Sequence, residues 1–423
     1  MSNPINLGLS TPRYCSRCVY PAHAVNAMLD DDGVCNACRN SEEFALHADA
    51  SFWAERKSSF ERLIEETHAR NKDGVSWDCI IPVSGGKDSY WQAHLVKKVY
   101  GLRPLLVTYH GNNYLPEGQA NLDLMRDRLG CDHMVFGPSV DTLRRLNLAA
   151  FRVMGDMNWH SHAGIKIVPV RLAVQLGIPL LVWGEITWTV SGMFAPDDFA
   201  EYNKRTVFEH DLRGFTREDF AKPEVGLEPG DLTWMRFPSD SELDRVGVRG
   251  IYIGNFFPWK PNEHTALMQE LYGFETSREP FERTYRRMSN LDDMHENGAH
   301  DYMKFIKFGY GRASDHASKD IRDGLMTREE GVETVRRYDH VKPMRDISRW
   351  LEYVGITEDE FDQTADTFRD PRVWWIEEGK WWKHNLWGGA SSYGEVRLPD
   401  RSMWDRYTTQ AAHREPAGAG DTA

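Results

Sequence analysis

One short segment constrains the fold of this chain more than any other: residues 78–95, where an apolar run, a glycine turn and a helix-forming stretch follow one another. The run DCIIPV is rich in Ile and Val and predicts a buried β-strand. The turn is SGGKDS, residues 84–89. A strand, a glycine turn and a helix N-terminus form an anion pocket, because backbone N–H groups can approach phosphate oxygens there and the helix dipole favours negative charge. Lys87 would add a positive charge, and the hydroxyls of Ser84 and Ser89 would add donors.

The spacing within the turn separates it from the Walker loop. A Walker loop needs four residues between its first glycine and a Gly-Lys-Ser/Thr end, whereas Gly85 and Gly86 are adjacent and Asp88 follows Lys87. The hexapeptide resembles the PP-loop of the ATP pyrophosphatases, the group that contains GMP synthetase, asparagine synthetase and the tRNA-thiolation enzymes. This resemblance implies that ATP is cleaved between its α and β phosphates and that a carbonyl oxygen is adenylated. The alternative is a plain glycine turn ahead of a surface helix.

Length and composition set broad limits on the rest. A chain of 423 residues with 41% hydrophobic and 27% charged residues can form two or three ordinary domains. The formal net charge of −13 makes it a poor general binder of nucleic acid, although a local basic groove could still exist. No apolar run approaches the ~20 residues needed to span a bilayer. The first fifteen residues lack the basic and apolar regions of a secretory signal, so we expect a cytoplasmic protein.

Four of the six cysteines form a pattern typical of a metal site. Cys15 and Cys18 are followed, after sixteen residues, by Cys35 and Cys38, so two C-x2-C pairs fall within the spacing of zinc ribbons. In a reducing compartment this pattern predicts four thiolates on one tetrahedral Zn²⁺. Because no position is left open for water, the zinc would be structural. Free or disulfide-paired thiols are the alternative.

Strands and helices alternate after residue 73 and predict the fold class. Apolar runs indicate strands at 78–83, 104–109, 133–136 and 178–184, and helical spacing indicates helices at 89–100, 118–129, 139–153 and 168–176. This alternation predicts an α/β fold with a doubly wound parallel sheet, an N-terminal zinc ribbon and a mostly helical C-terminal region. Ligands bind beyond the carboxyl ends of the strands in such sheets. The glycine turn follows the first strand and Gly184-Glu185 follows the fourth, so both could face one pocket.

The pattern divides the chain into five segments. A polar, aromatic stretch from about 190 to 250 predicts an ordered lid or substrate loop, and GIYIGNFFPW (250–259) resumes strand character. The tail holds six of the fifteen tryptophans, which could stack on a sugar or base, or cap the core. The segments are a zinc ribbon (1–45), a linking helix (46–72), a PP-loop ATP pyrophosphatase domain (73–260), a helical substrate or partner domain (261–370) and a Trp-rich tail with a disordered end (371–423).

A narrower resemblance rests on the cysteine segment, the PP-loop and three further stretches. These are GIKIVPVRLAVQLGIPLLVWGE (164–185), SNLDD (289–293) and KFIKFGYGRASDHASKDIRDGLMTREEGVETVRRYD (304–339). Together they resemble the N-acetyl sugar amidotransferases of lipopolysaccharide and flagellin-sugar biosynthesis. The resemblance covers residues 14 to about 340 and departs from the family around Glu185, where Ile186-Thr187-Trp188 follow. That departure lies where a substrate would be recognised.

The resemblance implies a reaction, partners and a set of site residues. Family members convert an acetamido group on a nucleotide-linked sugar into an acetamidino group, so ATP and Mg²⁺ are implied beside Zn²⁺. Ammonia is implied to come from a HisH-like glutaminase subunit, with a HisF-like subunit as channel. Ser84 to Ser89 would cradle the pyrophosphate. The positions that match family motifs, without assigned roles, are Lys166, Glu185, Asn290, Asp292, Lys307 and Arg312.

The residue types leave alternatives open at several positions. Asp88 is the first candidate ligand for Mg²⁺ but could be a helix N-cap. Glu185 could bind Mg²⁺, deprotonate ammonium, bind the ribose, or be a solvated acid at a strand end. Arg312 and Lys307 could hold the diphosphate of a sugar nucleotide or be surface charges. His160 and His162 alternate as strand neighbours would, which makes a weak metal site; a polar loop is the alternative.

Two other functions also fit the sequence. A sulfurtransferase that thiolates tRNA or a small molecule would use the same adenylation and would need a reactive cysteine, for which Cys131, near the end of the third strand, is the candidate. A zinc-ribbon scaffold that binds a nucleotide without catalysis is the second alternative. Cys79 lies inside the first strand, and neither Cys79 nor Cys131 has a glutaminase-like setting. Ammonia would therefore come from solution or from a partner.

Overall fold

The structure is a computed structural model that describes residues 14–71, 74, 76–184, 201–289, 291 and 296–408. The described chain divides into two compact units. The first unit is drawn from Met1–Asn40, Glu282–Tyr285 and Ala299–Ala423, and the second from Ser41–Phe281 and Arg286–Gly298. The cysteine segment and the C-terminal region, which the sequence pattern separates, thus belong to one unit.

The second unit is built on a parallel sheet. Its strands are β1 (Cys79–Pro82), β2 (Pro104–Tyr109), β3 (Asp132–Phe136), β4 (Leu180–Trp183) and β5 (Arg249–Tyr252). They lie in the order β3-β2-β1-β4-β5 and every neighbouring pair is parallel. The chain moves from β1 outward to β3 and then returns to the other side of β1, so the connection reverses between β1 and β4. This reversal is the topological switch point at which doubly wound sheets bind ligands.

Helices cover both faces of this sheet. Ile80 of β1 packs in one core with Leu143 and Ile167, whereas Cys79 and Ile81 pack on the opposite face with Phe60 and Leu122. Alternation of side chains along a strand sends successive residues to opposite faces, and burial on both faces explains the continuous apolar runs. The longer helices between residues 36 and 272 are α1 (Asn36–His47), α2 (Ala50–Arg70), α3 (Lys87–Ala93, continued by a π-helical turn His94–Val99), α4 (Pro116–Leu129), α5 (Val140–Met154), α6 (Trp159–Leu176), α7 (Asp240–Val246) and α8 (Pro261–Tyr272).

The first unit combines the cysteine segment with helices and a small antiparallel sheet. Its helices are α9 (Asn297–Phe308, which begins in the second unit), α10 (Arg312–Arg322), α11 (Arg328–Tyr338), α12 (Met344–Val354) and α13 (Glu358–Asp366). The strands β6 (Trp375–Glu377), β7 (Lys380–His384) and β8 (Ala390–Glu395) pair in that order. Trp374 and Trp381 are fully buried beside Phe305 and Tyr407, so these two tail tryptophans form a core.

Most of the predicted secondary structure is confirmed, with one clear error. The four predicted strands and the strand character at residue 250 are present, and the predicted fold class is correct. The error lies in α6, which begins at Trp159 and not at residue 168. Pro169 lies inside this helix, although proline is more common at a helix start. His160 and His162 are therefore helical, and the strand-neighbour interpretation is wrong. Two residues apart on a helix point about 200° from each other, so they do not share a face.

Among the described residues, no helix combines the length and the apolar character that a membrane span requires. Within the predicted lid region, residues 201–248 form short helices and turns, including α7, and Phe220, Leu232 and Trp234 pack into a core of the second unit. The rest of that lid, residues 190–200, and the predicted disordered end of the tail lie outside the described residues.

Candidate functional site

The SGGKDS segment forms a tight turn at the carboxyl end of β1. Gly85 adopts a positive φ of 77°, and a Cβ added there would lie 2.9 Å from the backbone nitrogen and Cα of Leu122 in α4. Glycine is thus required both by conformation and by space. The Ser84 N–H donates to the Ser89 hydroxyl over 2.9 Å, which closes the turn onto the start of α3. The predicted strand, turn and helix are all present.

Lys87 and Asp88 begin α3 and carry the charge of the turn. The Lys87 side chain is buried, with 8% of the residue exposed, and its ammonium forms an ion pair with Asp88 Oδ2. The other carboxylate oxygen, Asp88 Oδ1, is buried without a hydrogen-bond partner in the described part of the chain. Gly86, and not Asp88, is the N-cap of α3. The N-cap interpretation of Asp88 is therefore wrong, and one of its oxygens remains available to a cation or a donor.

One turn further along α3, Gln92 reaches the end of β4. Gly184 follows β4 directly, and a Cβ added to it would lie 1.9 Å from Gln92 Nε2. Gln92 can therefore occupy this position only because Gly184 has no side chain. Gln92 Oε1 is buried without a partner among the described residues. The structure thus brings the turn after β1 and Gly184 after β4 together across the switch point, as the sequence pattern predicts.

Three aromatic residues near Gln92 also have buried nitrogen atoms without hydrogen-bond partners among the described residues: Trp91, Trp259 and His264. His264 stacks on Trp91 with ring centroids 4.1 Å apart, and Trp259 meets His264 edge-on at 5.3 Å. Burial lowers the pKa of His264 to about 4, with Asp88 opposing and Lys87 reinforcing the shift, so the ring is neutral at physiological pH. His264 Nδ1 and the indole nitrogens of Trp91 and Trp259 are buried without hydrogen-bond partners in the described chain.

We call this set the unsatisfied cluster; its members are Asp88, Trp91, Gln92, Trp259 and His264. A buried polar group left without a partner costs about 1–3 kcal/mol, and native proteins contain few of them. Their concentration beside an anion turn marks a place where a polar ligand supplies the missing hydrogen bonds. Gln92 could have been found in the sequence because it lies four residues after Asp88 on one helical face. Trp259 and His264 join the site only through the tertiary fold.

Lys166 lies at the same edge of the sheet, on α6. Its ammonium sits 4.6 Å from the ring of Trp183 and 5.7 Å from that of Tyr252, the last residues of β4 and β5. Asp211 Oδ2 lies 3.9 Å from Lys166 Nζ, and burial raises the pKa of Asp211 although Lys166 opposes the shift. This position at the carboxyl edge of the sheet suits a residue that meets a substrate.

Three predicted site residues, Glu185, Asn290 and Asp292, lie outside the described residues. Two described residues of this part of the chain, Leu291 and Glu296, make specific contacts with the rest of the second unit. Leu291 O accepts a hydrogen bond from Leu115 N–H over 3.0 Å, and a Cβ added to Gly118 would lie 1.9 Å from this oxygen. Leu291 is therefore held against the start of α4, the helix whose Leu122 packs on Gly85 of the SGGKDS turn.

Glu296 makes its contacts through a buried hydrogen-bond network. Its carboxylate accepts from Asn147 Nδ2 at 2.7 Å and Asn113 Nδ2 at 3.1 Å, and pairs with His160 Nε2 at 2.7 Å. His160 Nδ1 lies 2.9 Å from the hydroxyl of Tyr109, the last residue of β2. Both His160 and Glu296 are fully buried. His160 thus links Glu296 to the end of β2, and sequence reasoning missed Glu296 altogether.

Lys307 and Arg312 belong to the first unit. Burial disfavours the charge of Arg312, but Asp301 and Asp315 raise its pKa, with Asp301 Oδ1 only 2.6 Å from the guanidinium. Asp301 also pairs with Arg283 at 2.6 Å, so Arg312 is part of a partly buried ion network and not a simple surface charge. Lys307 lies in the last turn of α9 beside the ring of Phe308.

Four cysteines form a compact buried site in the first unit. The sulfur atoms of Cys15, Cys18, Cys35 and Cys38 all lie within 4.8 Å of one another. Cys15 and Cys38 sulfurs are 3.9 Å apart and those of Cys18 and Cys35 are 3.6 Å apart. Backbone N–H groups of Arg17, Cys18 and Cys35 point at Cys15 Sγ over 3.3–3.4 Å, an arrangement that stabilises a thiolate. The donor set fits zinc or an iron–sulfur centre.

The other two cysteines do not resemble catalytic thiols. Cys131 immediately precedes β3, so it lies at the amino edge of the parallel sheet, whereas the SGGKDS turn lies at the carboxyl edge. The prediction that Cys131 lies near the end of the third strand is wrong. Burial raises the pKa of the Cys131 thiol, and burial likewise raises that of Cys79. Both thiols are protonated at neutral pH and are poor nucleophiles.

The chain shares features with known proteins over part of its length. Residues 282–386 match the family described as LPS biosynthesis protein WbpG-like, C-terminal domain. No curated protein matches the chain. Among solved structures, the U34-tRNA thiolase NcsA from Methanococcus maripaludis with its [4Fe-4S] cluster is 14% identical, with a TM-score of 0.27, covering 63% of this chain and 79% of that one. NMN synthetase from Francisella tularensis is 14% identical, with a TM-score of 0.26, covering 53% of this chain and 98% of that one.

Proposed function

We propose that the chain is an ATP-dependent amidotransferase that cleaves ATP to AMP and pyrophosphate and adenylates an amide carbonyl. The observation that carries the proposal is the SGGKDS turn at the switch point of the sheet, with buried Lys87 and the unpartnered Asp88 Oδ1 beside it. Glycines at this turn leave the backbone of residues 85–89 open to phosphate oxygens, and the sequence pattern is that of the PP-loop and not of a Walker loop.

The reaction requires positioning and charge stabilisation more than covalent catalysis. The amide oxygen attacks the α-phosphorus in line, pyrophosphate departs, and an O-adenylyl imidate forms. Ammonia then attacks the imidate carbon and AMP leaves with the original oxygen. Ser84, Gly85, Gly86 and Ser89, together with the Lys87 ammonium, hold the departing pyrophosphate. Gly184 follows β4 on the other side of the switch point, where Gln92 of α3 reaches it, and the rest of the nucleotide would extend toward these two residues.

Mg²⁺ would be held at Asp88. Magnesium binds through one or two carboxylates plus substrate phosphates, and the unpartnered Asp88 Oδ1 fits that requirement. When bound, the ion neutralises the charge that develops on the phosphate oxygens. Glu185 is the second candidate ligand, and it retains its alternative roles as a base for the incoming ammonium or as a ribose ligand.

The acceptor we propose is the N-acetyl group of a nucleotide-linked sugar. Support comes from the match of residues 282–386 to a family of lipopolysaccharide biosynthesis proteins and from the resemblance of residues 164–185 and 289–339 to sugar amidotransferases. Lys166 is placed at the carboxyl edge of the sheet, where it could meet this substrate. The proposed substrate residues also include Asn290, Asp292, Lys307 and Arg312. Because Arg312 is held in ion pairs, it would shape the site and would contact a substrate only if those ion pairs broke.

The nitrogen would come from a partner. Cys79 and Cys131 are buried, protonated thiols, and the four remaining cysteines cluster together, so no cysteine in the described chain offers a glutaminase nucleophile. We propose a HisH-like glutaminase subunit as the source of ammonia and a HisF-like subunit as its channel. A cytoplasmic location would keep the cysteines reduced and supply ATP.

Zinc is the occupant that we propose for the four-cysteine site. Zn–S bonds of about 2.3 Å in a tetrahedron place the sulfurs about 3.8 Å apart, and the closest pairs here are 3.6 and 3.9 Å apart. Thiolates on separate irons of a cluster would be spread further by the metal–metal distance. Four protein ligands leave no open position, so the zinc would stabilise the fold and take no part in the reaction.

One experiment separates amidine formation from the sulfurtransferase alternative. The protein is incubated with ATP, an ammonium salt and candidate UDP-N-acetyl sugars, and the products are weighed by mass spectrometry. Replacing the amide oxygen with nitrogen lowers the mass by about 1 Da, whereas replacing it with sulfur raises the mass by about 16 Da, as the atomic composition of the two acyl products requires. The burial of Cys131 at the amino edge of the sheet favours the first result.

A further inference from the structure

The first unit contains a cleft that the reaction does not use. It is an open cleft of about 460 Å³ between α9, α11 and the small antiparallel sheet. Phe305, Trp387 and Tyr393 supply aromatic walls, Ser391 and Ser392 supply hydroxyls, and Arg336 lies in its lining with its guanidinium 5.5 Å from the Trp387 ring. Aromatic faces with nearby hydroxyls suit the flat apolar faces and hydroxyl edges of a sugar ring.

A much smaller cavity lies beneath the cleft. Its volume is about 20 Å³, enough for one atom the size of a water oxygen, and it shares Phe305, His340, Trp387 and Tyr393 with the cleft. Lys383 of β7 lines this inner cavity. The two spaces share four lining residues, and the buried Lys383 amine lines the inner one together with Asp339.

Lys383 is an unusual lysine. Only 5% of the residue is exposed, and its ammonium donates to the backbone oxygen of its neighbour His384 over 2.8 Å. No carboxylate of the described residues lies within ion-pairing distance of Lys383 Nζ. The rings of Tyr393 and Phe305 surround the ammonium at 5.3 and 6.0 Å. Burial lowers the pKa of Lys383 to about 8, although Asp339 opposes the shift.

Asp339 lines the same inner cavity as Lys383, but the two side chains do not form an ion pair. The Asp339 carboxylate instead accepts hydrogen bonds from Gly311 N–H at 2.8 Å, Ser314 N–H at 3.0 Å and the Ser314 hydroxyl at 2.6 Å. These donors belong to the N-terminus of α10, whose dipole further stabilises that negative charge. Lys342, also in the lining, is paired with Glu358 and Asp362. Burying a charge without a partner is costly, so a cation kept at the floor of a cavity suits an anion that enters it.

We propose that this cleft binds a glycosyl phosphate, with the sugar ring on Trp387 and Tyr393 and the phosphate reached by Arg336 at the opening and Lys383 at the floor. A sugar alone would not use the buried cation, and an inorganic anion would not use the aromatic walls. The inference is independent of the proposed cleavage of ATP, because it concerns binding by a different unit and is tested in the absence of ATP.

Calorimetric titration of the full chain tests the site with three probes: N-acetylglucosamine 1-phosphate, free N-acetylglucosamine and inorganic phosphate. We expect the sugar phosphate to bind more tightly than either part. Arg336→Ala should weaken it at least about tenfold, a loss of one ion contact, and Arg337→Ala should leave it unchanged. Arg337 is the matched control, because it is the next exposed residue of α11 and lies over Tyr338 outside the cleft. Absence of binding, equal binding of phosphate alone, or equal loss in both arginine variants would overturn the proposal.

A proton measurement tests the role of Lys383. An anion at the floor raises the pKa of Lys383, so binding at pH 8 should take up protons, which titrations in two buffers of different ionisation enthalpy reveal. The other titratable groups around Lys383 are Tyr14, His23, Tyr310, Asp339, His340 and Tyr393; burial lowers the pKa of both histidines and raises that of the three tyrosines, so these five are neutral at pH 8. Proton uptake should disappear in Lys383→Met. Persistence of the uptake in that variant would refute the assignment of Lys383.

Discussion

At the scale of single residues, Lys87 and Asp88 show how neighbours in sequence can take opposite roles in one site. Their ion pair occupies the Lys87 ammonium and one oxygen of Asp88, and leaves the second oxygen unpartnered in the described chain. A phosphate that enters the turn would compete for the ammonium, and a cation would take the carboxylate. In the proposed function, the pair would hold both charges in place until a nucleotide and its metal separate them.

Lys87→Ala should lower turnover by about 10²- to 10³-fold, the loss typical of removing one preorganised charge contact to a transition state. The melting temperature should change far less than the activity, because the short side chain leaves the turn and its glycines intact. Steady-state kinetics and thermal denaturation measure the two effects. Lys98→Ala, an exposed lysine in the π-helical turn that follows α3, is the control and should change neither. Equal activity of the Lys87 and Lys98 variants would contradict the assigned role.

Residue types in the sequence identified part of this site and could not identify the rest. The SGGKDS motif could be recognised because two glycines, a lysine and an acid follow an apolar run. Gln92 could be predicted, because it lies four residues after Asp88 and therefore on the same helical face. Trp259 and His264 could not be predicted, because they are far along the chain and come close to α3 only in the fold, through β5 and α8.

At the scale of secondary-structure elements, the buried network around Glu296 connects the end of β2 with α5 and α6. Donors from three elements converge on one carboxylate. The helical start of α6 was missed in the sequence because Pro169, a residue common at helix starts, lies inside the helix. The strands were easier to predict, since each is a short apolar run bounded by polar turns.

Glu296→Gln should reduce the free energy of unfolding by about 2–4 kcal/mol, because the new amide would turn a donor toward groups that themselves donate and leave them buried without an acceptor. Chemical denaturation monitored by fluorescence measures this loss. Glu333→Gln, an exposed acid on α11, should leave the stability unchanged. A Glu296 variant as stable as the Glu333 variant would show that the network is not a structural tie.

Cys35→Ser should lose the bound metal, whereas Cys131→Ala should retain it. The purified chain should contain one zinc per molecule and show no visible absorption, since zinc thiolates are colourless and iron–sulfur centres are not. Elemental analysis and an absorption spectrum settle both points. Full metal content in Cys35→Ser, or iron at the site, would contradict the assignment.

At the scale of the whole molecule, the described chain contains the proposed ATP site and a four-cysteine site that fits a metal, and no described thiol is suited to releasing ammonia from glutamine. The doubly wound sheet was predictable, because its alternating strands and helices are local patterns. The joining of the cysteine segment with the C-terminal region into one unit was not, since contacts such as that of Val19 with Ala317 and Val335 link residues some three hundred positions apart.

The isolated chain should therefore use ammonium salts and not glutamine. Its rate with ammonium should rise as the pH approaches ~9, because free ammonia is the nucleophile and its fraction grows with pH. Adding a HisH-like subunit should permit glutamine and flatten this dependence, since ammonia delivered directly arrives unprotonated. Rates at a series of pH values with each nitrogen source check the prediction. Hydrolysis of glutamine by the purified chain alone would refute it.

The nucleotide products test the central claim most directly. Chromatography of a complete reaction with the acceptor sugar should show AMP and pyrophosphate formed in equal amounts, with both greatly reduced in Lys87→Ala. This result follows from a turn that holds the β and γ phosphates as a leaving group while the α-phosphorus is attacked. ADP and phosphate as the stoichiometric products would contradict the account, because the turn would then act as a γ-phosphoryl transfer site and no adenylated amide could form.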